Sequence, residues 1–187
     1  MEAIQHAALT LAEKAGFEQV TTEMIAAEAG ISPRTFFNYF PFKEAAFIPA
    51  RIVLPEEDRR RFCEARGTVA EDLLQLMEAA RPNLPQNREM LRMCKLIASE
   101  NSRLMAMNFD FLREVEEQLT QLFHARGGHV GGARASLMAA LTTAAIRNAF
   151  ERWIDGEGET PEEMTAANIA VLAPIFEGSA EELAAAE

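Results

Sequence analysis

Only two cysteines, Cys63 and Cys94, occur in the 187 residues, and they stand 31 positions apart with no Cys-x-x-Cys pair or Cys/His cluster. That excludes a disulfide scaffold and a zinc framework and fits a reducing compartment. No run approaches the ~18 consecutive apolar residues of a membrane span, and no basic flank with an apolar core marks a signal peptide. Membrane insertion is therefore not expected, and the expected setting is the cytoplasm. Alternating β-branched runs are missing, which argues against sheet. Basic residues are also scarce: 18 Lys and Arg against 29 Asp and Glu give a net charge of −11. Such a surface repels nucleic acid at long range, so any DNA binding must rest on a local arrangement. There is no Gly-x-Ser-x-Gly elbow, His-Glu-x-x-His helix, Gly-x-Gly-x-x-Gly turn or local pairing of nucleophile and base, so no catalytic residue, metal site or cofactor is expected.

With 49% hydrophobic and 25% charged residues, the composition is that of a globular protein able to bury a sizeable core. Apolar residues recur at helical spacing, as in Ile4, Ala7, Ala8, Leu11, then Val69, Leu73, Leu76, Met77, then Leu112, Val115, Leu119, Leu122. The expected fold is all-α with about nine helices. Thr68 with Glu71, and Thr160 before Pro161-Glu162-Glu163, mark helix starts; Gly16, Gly30 and Gly127-Gly128 mark ends. Pro49, Pro55, Pro82 and Pro85 leave 49–67 hard to assign beyond one irregular or kinked helix. Short elements before residue 48 and long amphipathic helices after it predict a head over 1–47 and a larger body over 48–178. The Ala/Glu stretch 179–187 reads as a frayed tail.

The informative segment runs from Thr21 to Phe40. Thr21 or Thr22 can cap a two-turn helix, Gly30 ends it, and Ser32-Pro33 caps and opens a second helix. Ala26 is small enough for close helix contact, while Ile25, Ile31 and Phe36 are placed to bury the inner faces. This is the pattern of a helix-turn-helix. The second helix, 33–39, then presents Arg34, Thr35, Phe37 and Asn38 outward near its N-terminus, the end that enters a major groove. Arg and Asn match the edges of guanine and adenine, and Thr35 and Phe37 have methyl or ring faces for thymine. Phe36 and Phe40 read as core, Tyr39 as DNA-facing, and Phe37 is open to either role. From Gly30 to Lys43 there are two basic residues and no acidic one, although the first 51 residues sum to −2.

The run from Ile4 to Phe47 resembles the N-terminal domain of the TetR family of bacterial transcriptional regulators. The residues that carry the resemblance are Ala15-Gly16-Phe17, Thr21-Thr22, Ile25-Ala26, Ala29-Gly30-Ile31-Ser32, Phe36-Phe37-Asn38-Tyr39-Phe40 and Lys43-Glu44. The resemblance implies a three-helix DNA-binding head on an all-helical body that binds a ligand and dimerises. It makes Pro33, Arg34, Thr35, Phe37 and Asn38 base-facing and Thr22, Tyr39 and Lys43 phosphate-contacting. Two features depart from the family pattern. The chain begins at Met1-Glu2-Ala3, inside the first helix, without a basic arm ahead of it. Phe42 stands where a short polar cap is common, which predicts a displaced start for the next helix.

In the body, Met77, Met90, Met93, Cys94, Met105 and Phe109 are candidates to line an apolar ligand cavity, with plain core packing as the alternative. Arg92, Arg103 and Arg113 lie near the same helices and read as solvated. Arg59-Arg60-Arg61 after Glu56-Glu57-Asp58 reads as an exposed, self-paired helix surface. His124 and His129 around Gly127-Gly128 read as a helix-connecting turn. Two helices, 133–155 and 161–176, are expected to dimerise as a four-helix interface; the stretch Ala145 to Trp153 is similar to the penultimate helix of actinobacterial TetR-type regulators. The body also resembles, diffusely, regulators of the mycofactocin type, some of which bind acyl-coenzyme A. The expected function is a ligand-responsive homodimeric regulator, a repressor by preference, that binds palindromic double-stranded DNA and is tuned by a small, mostly apolar effector. The alternative is a helical protein-interaction module that has lost DNA reading.

Overall fold

The computed structural model describes residues 1–49, 54–84, 86–126 and 132–177. The expectations for Gly127-Gly128, His129 and the tail 179–187 lie outside the described residues. Within the described residues the chain is all-α, with nine α-helices: α1 (Glu2–Ala15), α2 (Thr22–Glu28), α3 (Pro33–Tyr39), α4 (Glu56–Glu64), α5 (Val69–Ala80), α6 (Arg88–Ser99), α7 (Ser102–Arg126), α8 (Gly132–Ile154) and α9 (Pro161–Glu177). Short 3-10 turns cover Phe17–Gln19, Lys43–Phe47 and Arg81–Asn83. None of the described helices is long and apolar enough to cross a membrane.

The local signals act as their chemistry requires. The Thr68 hydroxyl accepts from Glu71 N at 3.3 Å and donates to the Glu71 carboxylate at 2.8 Å. Thr160 caps α9 by accepting from Glu163 N at 3.2 Å, with Pro161 at the first helical position. Each such cap contributes about 1 kcal/mol by satisfying a helix N–H that has no partner within the helix. Phe42 offers no side-chain cap, and the next element is the 3-10 turn Lys43–Phe47 in place of a full α-helix. The uncertain stretch after Pro49 contains α4, a nine-residue helix. Its surface pairs internally at three-residue spacing, Arg59–Glu56, Arg60–Glu57 and Arg61–Asp58.

The chain packs as two units. The first comprises Met1–Arg51 together with Pro85–Phe111, more than the expected 1–47 head. Its core joins Ile4, Leu9, Ile25, Phe36 and Phe47 to Met90, Cys94 and Leu104. Polar bonds tie it as well: Gln5 Nε2 donates to Ile48 O at 2.9 Å, Asn101 Nδ2 donates to Glu18 at 2.9 Å, and Arg103 pairs with Glu44 at 3.0 Å. The second unit comprises Ile52–Leu84 and Leu112–Glu187. Phe62, Leu73, Leu76, Leu119, Phe123, Met138, Ile169 and Phe176 are buried in its core. Asn168 pins α9 to α8 by donating to Ala145 O at 2.9 Å, and Trp153 Nε1 closes the connection by donating to Glu159 O at 3.1 Å.

Candidate functional site

The site in the first unit is built by two short helices and the turn between them. Thr21, not Thr22, caps α2, accepting from Met24 N at 3.2 Å. At the other end Gly30 adopts φ +67°, the left-handed backbone that glycine reaches without strain. Ile31 N then bonds Ala26 O at 2.9 Å and Gly30 N bonds Ala27 O at 3.1 Å, the paired closure that stops a helix and turns the chain. Ser32 caps α3 by accepting from Thr35 N at 3.0 Å, and Pro33 supplies its first residue. Ile25, Ala26 and Phe36 are buried, so the two helices are held by their inner faces.

The outward face of α3 is the one the sequence predicts. Pro33, Arg34, Phe37, Asn38 and Tyr39 are exposed, and Thr35 is half-buried with its hydroxyl 2.9 Å from that of Ser32. Phe37 is half exposed although its ring meets Phe36 edge-on at 5.4 Å. Neither Arg34 nor Asn38 is engaged by a hydrogen bond or ion pair among the described residues. Their donors and acceptors remain available to an outside partner.

The three positions expected at phosphates differ among themselves. Tyr39 is exposed. Thr22 donates its hydroxyl to the Glu23 carboxylate at 3.2 Å. The Glu23 carboxyl is held below its ordinary 4.5 by its backbone hydrogen bond first, and by the Thr21 and Thr22 hydroxyls after that, so a negative charge sits beside this position. Lys43 donates to Phe17 O at 3.0 Å and lies over the Phe17 ring.

The second unit encloses a cavity of about 390 Å³. Its walls come from α5 (Leu73, Leu76, Met77), α7 (Val115, Leu119), α8 (Ile146, Phe150) and α9 (Thr165, Ala166), with Leu54 and Leu84 from the connections. The size and apolar lining suit a small organic ligand. Of the six residues predicted to bind a ligand, Met77 alone lines it. Met90 and Cys94 are buried in the core of the first unit and Met93 packs against that core. Met105 and Phe109 are exposed. The lining that sequence reasoning missed is aliphatic and lies at ordinary core spacing, so no residue type set it apart. No group of His, Cys, Asp and Glu able to hold a metal ion occurs among the described residues.

A capped helix, a left-handed glycine turn and a second capped helix with a free polar face make a helix-turn-helix. Residues 4–48 match the family model described as bacterial regulatory proteins of the tetR family. That match spans the first three helices and the turn after them, about a quarter of the chain. No curated protein matches it. Among solved structures, the chain is similar to Thermus thermophilus FadR, a TetR family transcriptional repressor in complex with lauroyl-CoA. The identity is 23%, the match covers 91% of this chain and 92% of that one, and the TM-score is 0.55. It is similar also to a TetR family transcriptional regulator from Pseudomonas syringae pv. tomato, with 22% identity, coverage of 95% and 94%, and a TM-score of 0.58. These likenesses extend the shared fold across both units.

Proposed function

We propose that the protein is a homodimeric, cytoplasmic transcriptional repressor that reads a palindromic operator with α3 and is tuned by a small, mostly apolar effector held in the cavity of the second unit. The observation that carries this is the exposed, unengaged pair Arg34 and Asn38 on a helix capped at its N-terminus. Pro33, Thr35 and Phe37 complete the base-facing surface, and Tyr39, with Thr22 once its hydroxyl leaves Glu23, meets the phosphates. Base contacts on so short a helix do not select one site in a genome, and a second copy supplies the missing selectivity.

An exposed apolar face supports the pairing of two copies. Between Glu163 and Glu177, α9 carries no charged residue, yet Val171 is 76% exposed and Ile175 54%. A helix apolar on all sides belongs in an interior. Leu137 on α8 is exposed too, and these faces pair with their symmetry mates as a four-helix interface. The two reading helices then stand about one turn of DNA apart, ~34–36 Å. An effector that binds better to a form with another spacing releases DNA by population shift.

The test is a mobility-shift screen on genomic fragments at low and moderate salt, followed by footprinting. Protection of an inverted repeat supports the proposal. Absence of DNA binding even at low salt overturns it in favour of a protein-interaction module, the reading to which the −11 charge would then belong.

A further inference from the structure

The polar lining of the cavity in the second unit divides into groups that are engaged and groups that are free. Glu78 pairs with Arg81 at 2.9 Å, and Arg81 is engaged further within the chain. Glu162 is likewise engaged within the chain. Thr165, 2% exposed, gives its hydroxyl hydrogen to Pro161 O at 2.7 Å. Gln75 and Gln118 remain. Both line the cavity, both are exposed, and neither is held by a hydrogen bond among the described residues. Their exposure places them at the mouth. The other lining residues are apolar, and no Lys, Arg or His of the described residues lines the cavity.

We infer that the effector is an uncharged amphiphile, an apolar body bearing a neutral polar group such as a hydroxyl or a carbonyl, and that this group is received by the Gln75 and Gln118 amides. The inference rests on the proposed effector role of this cavity and narrows it to one chemical class. A primary amide both donates and accepts, so it answers either neutral group without bringing a charge. Ions fare differently. A carboxylate or phosphate entering the cavity gives up water and finds no cation in the lining, while Arg81, which meets the lining through Glu78, already has its partner. An ammonium gives up water too, and the two carboxylates it would seek are both engaged. Rejection of a charged ligand by unanswered desolvation is specificity of the negative kind. The apolar walls, Leu73, Leu119, Ile146 and Phe150 among them, take the body by removing its surface from water. An apolar cavity of roughly 150 Å³ already holds benzene. At about 390 Å³ this one has room for a body larger than a single ring.

The experiment is calorimetric titration of the full-length protein at neutral pH with decanol, decanoate and decylamine, each below its solubility and micelle-forming limits. Salt at about 0.15 M keeps the field of the acidic surface within ~8 Å, so adsorption of the amine to that surface is suppressed. The three probes share one chain and differ in the charge of the head. The alcohol is expected to bind at least about tenfold more tightly than either ion. Gln75→Met combined with Gln118→Met should weaken the alcohol about fivefold, the loss of one neutral hydrogen bond. Gln75→Lys and Gln118→Lys each place a new cation at an exposed helix position that lysine suits as well as glutamine does. At least one of the two should raise decanoate affinity about tenfold. Equal affinities, a preference for the amine or for the carboxylate, or no binding of any of the three would each overturn the inference. So would an alcohol affinity unchanged in the methionine variant, or a carboxylate affinity unmoved by both lysine variants. Operator binding without ligand is read separately. If that fails, the regulator reading falls while the titration still decides the charge of the ligand. If selective DNA binding stands and the charge preference is absent, only the present inference falls.

Discussion

The ammonium of Lys43 lies 4.1 Å from the centre of the Phe17 ring while donating a 3.0 Å hydrogen bond to the Phe17 carbonyl oxygen. One side chain thus ties the turn after α3 to the turn after α1, in a unit where Phe17 also meets Phe47 edge-on at 4.9 Å. Lys43→Met removes the cation–π contact and one hydrogen bond to backbone, and is expected to cost about 1 kcal/mol of stability. Urea unfolding reads that loss. Because the charge is held inward on Phe17, the dependence of DNA affinity on salt should stay as in the parent protein; a slope reduced by about one unit would return Lys43 to the phosphates.

Arg34 and Asn38 are exposed and make no hydrogen bond or ion pair among the described residues, so Arg34→Ala and Asn38→Ala should each leave stability within about 0.5 kcal/mol of the parent. Each should also remove about 1–3 kcal/mol of discrimination at one base pair of each half-site. Competition between the footprinted site and a scrambled duplex measures this. In the double variant the two duplexes should compete equally. Selectivity retained there would mean that α3 does not read bases.

How much of this was legible beforehand differs between the two sites, for a physical reason. Caps and the glycine turn are local: Thr21, Gly30 and Ser32 act within a few residues, and their effect can be read from their neighbours. Cavity lining is a property of pairing between distant helices. Methionines and Cys94 look like pocket material, yet helical spacing says only that Met90 and Cys94 are buried, not which core receives them. They joined the first unit, because the segment from Pro85 to Phe111 packs with the N-terminal helices. The residues that do line the cavity, Leu73, Leu119, Ile146 and Phe150 among them, are of types common to every helical core.

Arg126, 8% exposed at its side chain, pairs with Asp72 and also donates to Phe62 O at 2.8 Å and Gly67 O at 2.9 Å. The guanidinium further rests 5.0 Å from the Phe62 ring. One buried cation thereby satisfies a carbonyl in the last turn of α4, a carbonyl of the α4–α5 connection and a carboxylate on α5. Asp72→Asn leaves that cation without its counter-charge and should cost about 3–5 kcal/mol. Arg126→Lys should fail to restore stability, since a single ammonium cannot reach the same partners as a planar fork. Denaturant midpoints of the two variants decide it; a loss under about 1 kcal/mol for Asp72→Asn would show the network to be solvated.

Burial pushes the Cys94 thiol from its ordinary 9.0 to about 12. A thiolate is the reactive form, so Cys94 should resist alkylation in the folded protein at pH 8 and react on unfolding. Cys63 is also raised, mainly by burial, with the nearby Arg59 and Arg126 opposing it. For Cys94 the linkage has a definite sign. The folded state holds its proton more tightly than the unfolded chain, so this stabilising contribution is complete below pH 9 and is lost as pH rises from 9 toward 12. Cys94→Ala should flatten that alkaline decline relative to the parent in unfolding curves taken across this range.

Val171 and Ile175 occupy one exposed face of α9, a turn apart, and Pro174 lies between them within the helix. If this face meets its copy, Val171→Glu places two like charges into a desolvated interface, one from each protomer, at a cost of several kcal/mol that a standard-size interface cannot absorb. In a monomer the same change is nearly neutral, because the position is already in water. Sedimentation should therefore find the parent protein dimeric and the variant monomeric, with the helical signal and melting of the isolated fold retained. Operator affinity should fall along with dimerisation, since each head then binds alone and loses the effective concentration its partner supplied. Binding to a single half-site should be unaffected. A variant that stays dimeric and keeps full operator affinity would show that the copies meet elsewhere.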